Sequence, residues 1–274
     1  MRLAGVPESE IPAALKEVEN AVTDRGPGAH PLTGPIFVEG AEPGDVLEVR
    51  IVGFDYLHPF GVTGFVPERG TLPDEFPYVR YKVVRFNVGA GTAEFRPGVT
   101  LPLAPFFGSI GVAPPAAMRR VSSGPPGVHT GNLDNRELVA GSVLYLPVHA
   151  PGALLSVGDG HALQGDGEVT LTALETSLRG TLQVFVRKGK SLLWPRAETP
   201  THYIAMGLHT DLDEAARLAT REMIAFLTTE KGLSRDEAYM LVSLAVSLRV
   251  TQLVDGTKGI HAMLPKALFA EPRP

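Results

Sequence analysis

Apolar and polar positions alternate with period two in several runs, and most of these runs follow turn-forming residues. After Pro43-Gly44-Asp45, VLEVRIVGF (46–54) sets Leu47, Val49 and Ile51 against Glu48 and Arg50, which predicts a strand with one buried and one wet face. VRYKVVRFNV (79–88) follows the same rule, with Val79, Tyr81 and Val83 opposed to Arg80, Lys82 and Val84. SVLYLPVHA (142–150) and GALLSVG (152–158) are mostly apolar, as expected of strands covered on both faces. EVTLTALETS (168–177) and GTLQVFVRKG (180–189), joined near Arg179-Gly180, predict an antiparallel hairpin.

The period then lengthens. From Asp211 to Lys231, Leu212, Ala215, Ala216, Ala219, Met223, Phe226 and Leu227 fall on one helical face. Thr210 or Asp211 is placed to cap the start and Gly232 to close the end. Ser234-Arg235-Asp236-Glu237 has the spacing of a capping box, opening a second helix that turns Ala238, Leu241, Val242, Ala245 and Leu248 inward. The two segments predict a helical hairpin packed on the sheets.

Glycine (30) and proline (24) punctuate short apolar runs along the chain, favouring many strands joined by turns. No fixed-period repeat and no polar linker interrupts them. The expectation is one domain over residues 1–274, mainly β, sandwich- or barrel-like and largely antiparallel, α+β overall. Within it, 1–33 is a divergent N-terminal segment, 34–190 the β core and 205–250 the helical hairpin.

Composition narrows the chemistry. A net charge of −5 leaves no surplus of positive side chains for a phosphate backbone, so nucleic acid is not expected as a partner. The absence of cysteine excludes disulfides, thiolate metal sites and a cysteine nucleophile. No secretory leader and no run of roughly 20 apolar residues is present, so a soluble cytoplasmic protein without a membrane span is expected.

Several motifs fail on inspection. No phosphate-binding G-x-x-x-x-G-K-[ST] occurs. Gly158-Asp159-Gly160-His161-Ala162-Leu163 has Leu163 where a dinucleotide fingerprint needs its third glycine. Phe107-Gly108-Ser109-Ile110-Gly111 has Phe107 where a nucleophile elbow needs glycine. Ser122-Ser123-Gly124 has no lysine after it before Lys188 and is read as a loop. No H-E-x-x-H is present, and Gln164 replaces the glycine of an EF-hand loop.

What remains is the stretch from His129 to Glu175. Asp159, His161, Gln164, Asp166 and Glu168 lie between two apolar runs, separated by glycines at 158, 160, 165 and 167 that let the backbone turn tightly. One imidazole with several carboxylates suits an oxygen-rich divalent site for zinc, magnesium, manganese or calcium. Asn132 and Asp134 are placed to complete it, and Glu168 or Glu175 to act as general base toward a water. Upstream, Glu39, Glu42 and Asp45 form a second polar group, with Glu39 at the end of an apolar run. Phe60, Phe65, Phe76 and Tyr78 are core fillers first, or the walls of a wider pocket.

At these residues the chain resembles the acetamidase/formamidase family, through TGPIFVEGAEPGDVLEV (33–49), GNLDNREL (131–138), GSVLYLPV (141–148), PGALLSVGDGHALQGDGE (151–168), DEAY (236–239) and RVTQLVD (249–255). The resemblance implies a mainly β fold with helices toward the C-terminus, hydrolysis of a short aliphatic amide to ammonia and carboxylate, and a homo-oligomer. It also implies a divalent metal, zinc in the first place, with calcium or magnesium as alternatives. Asp134, Asp159 and His161 are the expected ligands, Glu168, Glu175 and Glu39 the expected catalytic groups, and Asn132, Gln164 and Asp166 the expected substrate contacts. The alternatives are hydrolysis of a larger or cyclic amide, and a non-catalytic β module whose ion only pins loops. Two departures stand out: the residues ahead of Gly34 do not match the strands with a Trp-Asp motif found in relatives, and Ser247 stands where many relatives carry an acidic residue.

Overall fold

The computed structural model describes residues 4–269. A short helix α1 (Ala13–Ala21) precedes strands β1 (Leu32–Ile36), β2 (Val46–Tyr56), β3 (Phe60–Phe65), β4 (Arg80–Asn87), β5 (Thr92–Arg96), β6 (Val99–Pro102), β7 (Phe106–Gly111) and β8 (Thr130–Asn132). Then come β9 (Val143–Pro147), β10 (Leu155–His161), β11 (Leu178–Arg187), β12 (Arg196–Glu198) and β13 (His202–His209), helices α2 (Leu212–Lys231) and α3 (Arg235–Ala245), and finally β14 (Ser247–Gln252) and β15 (Lys258–Pro265). Strands therefore continue on both sides of the helices.

Three antiparallel sheets result: β1-β10-β7-β8, β11-β2-β9-β12-β13-β15-β14, and β3-β4-β5-β6. The first packs on the second. Leu47, Val49 and Ile51 of β2, Leu144 and Leu146 of β9 and Met206 of β13 share one buried cluster with Phe107 and Ile110 of β7 and Leu155 of β10. The helices cover the other face of the seven-stranded sheet, with Ala215, Ala219, Met223 and Leu227 of α2 and Val242 of α3 against Ala205, Ile260, Ala262 and Leu264. Gly207 of β13 sets how closely α2 approaches, because a Cβ there would run into the Ala215 carbonyl and the Ala219 nitrogen. The fold is thus mainly antiparallel β with a C-terminal helical hairpin, α+β overall.

The helical hairpin forms as its end signals dictate. Asp211 caps α2 by accepting from the Glu214 N–H at 3.0 Å, Gly232 closes it with φ 71°, and the Ser234–Glu237 capping box opens α3 with both of its bonds made. Leu248 departs from expectation: α3 ends at Ala245, and Leu248 is an exposed member of β14.

Three strand expectations are also corrected. Glu48, on the supposed wet face of β2, is buried because Arg50 and Arg187 both reach its carboxylate, the former at 2.7 Å. In β4 the buried face is that of Val84 and Phe86, while Val79 lies outside the strand and is exposed. Residues 168–177 and 180–189 do not form a hairpin. The strand β11 pairs along its whole length with β2, and the segment before it is irregular, with Glu168 at φ 45° and Leu171 at φ 79°. Left-handed backbone at two non-glycine positions breaks the extension that the alternation suggests. The hydroxyl of Thr172 instead ties the segment to Gly64 of β3, accepting from its N–H and donating to its carbonyl, each at 2.9 Å.

Phe60 is buried, whereas Phe65 packs edge-on against both Phe76 and Tyr78, which lie at the surface. Among the described residues no helix is long and apolar enough to cross a membrane.

Candidate functional site

The site is built where β10, β7 and β8 end. Asp159 and His161 are two residues apart on β10 and so project to one face. Across from them on β7, Gly108 leaves room. A Cβ there would lie 2.6 Å from Asp159 Oδ2 and 2.7 Å from His161 Cε1, and closer still to Asp134 Oδ1. Asp134 follows β8 and turns into this space with φ 51°, and Asn132 donates to its Oδ2 at 2.9 Å. After β10 the chain forms an Ω-shaped loop from Leu163 to Leu174, closed where the Leu174 N–H meets the Leu163 carbonyl at 2.9 Å. This loop brings in Gln164 and Glu168, and Glu175 follows it. Asp159 and Glu168 also have left-handed backbone, with φ of 59° and 45°. Strained backbone concentrated at one place marks a constellation held for its chemistry.

His161 is the hub. Its ring is fully buried and stands edge-on to Phe106 at 5.0 Å. Gln164 donates from Nε2 to the Asp134 carbonyl at 2.7 Å, which turns its Oε1 toward His161 Nδ1 at 3.0 Å. A carbonyl only accepts, so the amide orientation is fixed and Nδ1 carries a proton. His161 Nε2 then faces Asp159 Oδ2 at 3.4 Å and Glu175 Oε2 at 3.3 Å. Glu175 is the more open of the two carboxylates, its side chain one-third exposed, and its Oε1 accepts from the Ala173 N–H at 2.8 Å.

Four carboxylates, those of Asp134, Asp159, Glu168 and Glu175, lie about this one imidazole, and a fifth, Asp255, stands next to Asp134. Burial, reinforced by Glu168, holds the Asp134 carboxyl well above the usual range. Burial likewise pushes Glu168 up to about 8, with His161 opposing and Asp255, Glu175 and Asp159 adding to the rise. Asp255 is raised mainly by burial. At His161, burial lowers the pKa, but the charges of Glu175 and Asp159 outweigh it and the ring is held well above its ordinary value. Asp159 is lowered: burial opposes, and the His161 pairing wins. Such a group needs either protons or a cation to be stable.

The residues fit a divalent cation. Asp134 Oδ1, His161 Nε2, Asn132 Oδ1 and Asp255 Oδ2 are buried without a hydrogen-bond partner. Asp134, His161 and Glu168 offer donor atoms within 4.8 Å of one another, as do Asp159, His161 and Glu175. One imidazole among carboxylate oxygens is a donor set for zinc or a harder divalent ion.

Of the residues singled out in the sequence, Asn132, Asp134, Asp159, His161, Gln164, Glu168 and Glu175 come together here. Asp166 and Glu39 do not. Asp166 is exposed and held by Arg249, which donates to both of its oxygens at 2.8 Å. Glu39 is exposed beyond the Ile36–Leu155 end of the β1–β10 pairing, while His161 lies at the opposite end of β10. Two residues escaped the sequence reading. Asp255, in the turn after β14, sits beside Asp134 and Asn132. His30, whose Nδ1 is 2.9 Å from Ser123 Oγ, bears electrostatically on Asp159 and Asp255. Asp255-Gly256 has the look of an ordinary turn, and only its place just behind the alternating strand β14 sets it apart.

The site is thus a buried imidazole–carboxylate cluster, with left-handed backbone at Asp134, Asp159 and Glu168, at the margin of an antiparallel sandwich. The chain belongs to the acetamidase/formamidase family, whose profile matches residues 24–124 and 117–271. It is 37% identical to a solved acetamidase from Bacillus halodurans, with a TM-score of 0.81, covering 87% of this chain and 79% of that one. A formamidase from Methylophilus methylotrophus is 32% identical over 192 residues, 52% of this chain and 47% of the relative, so the match spans about half of that relative's length. A γ-lactamase from Delftia acidovorans is 25% identical with a TM-score of 0.60, over 89% of this chain and 78% of that one.

Proposed function

We propose that the chain hydrolyses a small aliphatic amide, RCONH2 + H2O → RCOO⁻ + NH4⁺, at the cluster around His161. The observation that carries this is the meeting of Asp134, Asp159 and His161 over Gly108, with Glu168 grouped beside Asp134 and His161 and Glu175 beside Asp159 and His161, in a chain of the acetamidase/formamidase family. A divalent ion would be held by Asp134, Asp159 and His161, with Glu168 grouped on the Asp134 side and Glu175 on the Asp159 side, and it supplies positive charge that polarises a carbonyl oxygen. Gln164 holds the His161 ring in one orientation and one tautomer. Glu175, on the open side, takes the proton of the attacking water. Glu168, buried on the closed side, returns a proton to the departing nitrogen, and the two carboxylates divide the work because their surroundings differ. Asn132, through its bond to Asp134 Oδ2, keeps that carboxylate turned inward.

A cyclic amide is the second candidate substrate, favoured by the likeness to the Delftia γ-lactamase. Ammonia release from formamide and acetamide, and ring opening of a γ-lactam, distinguish the two. His161→Ala and Glu168→Gln are expected to lower turnover by at least ~100-fold with the circular dichroism spectrum unchanged, and chelation followed by zinc addition to remove and restore it. Full activity in both variants would refute the assignment.

A further inference from the structure

The Ω-shaped loop surrounds a hollow of about 220 Å³. Leu163 and Leu174 of the loop form one side, and Val84, Phe95 and Leu101 of the β3–β6 sheet form the other. The hydroxyls on its wall are already engaged: Thr172 exchanges both bonds with Gly64, and Thr63 Oγ1 lies 3.2 Å from Thr172 Oγ1. Apart from Gln164, Asp166 and Glu168, the surface left to a ligand is apolar. Gln164 and Glu168 belong to the wall of this hollow and also to the cluster, where Gln164 holds His161 and Glu168 lies within reach of Asp134 and His161.

This shared wall gives a substrate a direction. An amide whose carbonyl sits at the cluster would keep its polar nitrogen among polar groups and turn its acyl substituent past Gln164 and Glu168 toward this recess. A water-sized group occupies roughly 30 Å³, so the methyl of acetamide would leave most of the hollow unfilled. Resting on the amide hydrolysis proposed above, we infer that this hollow is the acyl-chain subsite, and that the substrate is a primary amide with an aliphatic acyl group larger than acetyl. Linear or branched chains of about four to six carbons match its volume.

The test measures kcat/KM for formamide, acetamide, propionamide, butyramide and isobutyramide, and titrates acetate and butyrate by calorimetry. Each methylene added up to butyramide is expected to raise kcat/KM about fourfold, and butyrate to bind more than about tenfold tighter than acetate. Leu101→Trp fills the hollow from β6 and is expected to bring the butyramide-to-acetamide ratio down to about one, while Phe95→Ala widens it and extends the rise to hexanamide. A flat or falling series in the wild type overturns the subsite and leaves amide hydrolysis standing. Ratios unchanged in both variants also overturn it. Absence of ammonia from every amide with butyrate still binding tighter refutes the hydrolysis and upholds the hollow.

Discussion

Gly108→Ala is the sharpest probe of the site, because it adds one methyl group where the sheet leaves none. The backbone of Gly108 lies outside the left-handed region, so β7 accepts alanine without strain of its own. The new Cβ would meet Asp159 Oδ2 at 2.6 Å and His161 Cε1 at 2.7 Å, whereas ordinary contact begins near 3.4 Å, so these groups must retreat by somewhat under ~1 Å. They are not free to do so. Asp134 is fixed by Asn132, and His161 by Gln164 and Phe106. Overpacking of this kind costs about 1–3 kcal/mol, and a displacement near 1 Å at reacting groups costs about 10²-fold in rate. Ammonia release, zinc content and urea unfolding read the three consequences: turnover down ~100-fold, substoichiometric metal, and a folded protein with a lower midpoint. Gly53→Ala on β2, where a Cβ meets nothing within 4 Å, serves as the control and leaves all three near wild type. Wild-type turnover and metal content in Gly108→Ala would mean that the three side chains do not act at this point.

Gln164→Leu deprives His161 Nδ1 and the Asp134 carbonyl of their shared partner. It is expected to weaken divalent-ion affinity about 10–100-fold in a chelator competition, and unchanged affinity would remove the orienting role. Glu48→Gln tests the buried ion pairs of β2 and β11. Burial raises the Glu48 pKa, but the bonds from Arg187 and Arg50 outweigh it and hold it below its ordinary 4.5. Its stabilisation is therefore complete above that value and lost as pH falls through the lower folded value. The variant is expected to lose roughly 1–2 kcal/mol at pH 7, less than for a fully buried pair because both arginines are half exposed. Its urea midpoint should also fall less steeply than wild type between pH 5 and 3, and parallel acid limbs would contradict the pairing.

The helical hairpin was legible because its signals are local: Asp211, Gly232 and the Ser234–Glu237 box act within a turn or so of chain. Strand β2 was legible for the same reason. The strand pairing of β11 was not, since its partner lies more than a hundred residues upstream and an alternating run does not say whom it faces. The left-handed residues Glu168 and Leu171, which make a loop of a strand-like stretch, are neither glycine nor asparagine and leave no mark in the sequence. At the site, the glycine-spaced run from Asp159 to Glu168 announced itself by its density of polar groups. Glu39 misled because the antiparallel course of β1 carries it away from His161. Asp255 and His30 reach the centre from opposite ends of the chain, a proximity that no spacing encodes.

The loop that carries Glu168 is held from outside by β14. Gly167 donates to the Thr251 carbonyl at 3.2 Å, Leu253 donates back to Gly167 at 3.1 Å, and Arg249 grips Asp166. Synthesis therefore delivers the parts of this centre long before the piece that sets them. A nascent chain that has emerged only as far as α2 possesses the imidazole, four of the five acids and the Thr172–Gly64 tie, but lacks the β14 contacts at Asp166 and Gly167. That outer anchorage waits for the stretch from Arg249 to Asp255 and for β15, the strand that β14 pairs with.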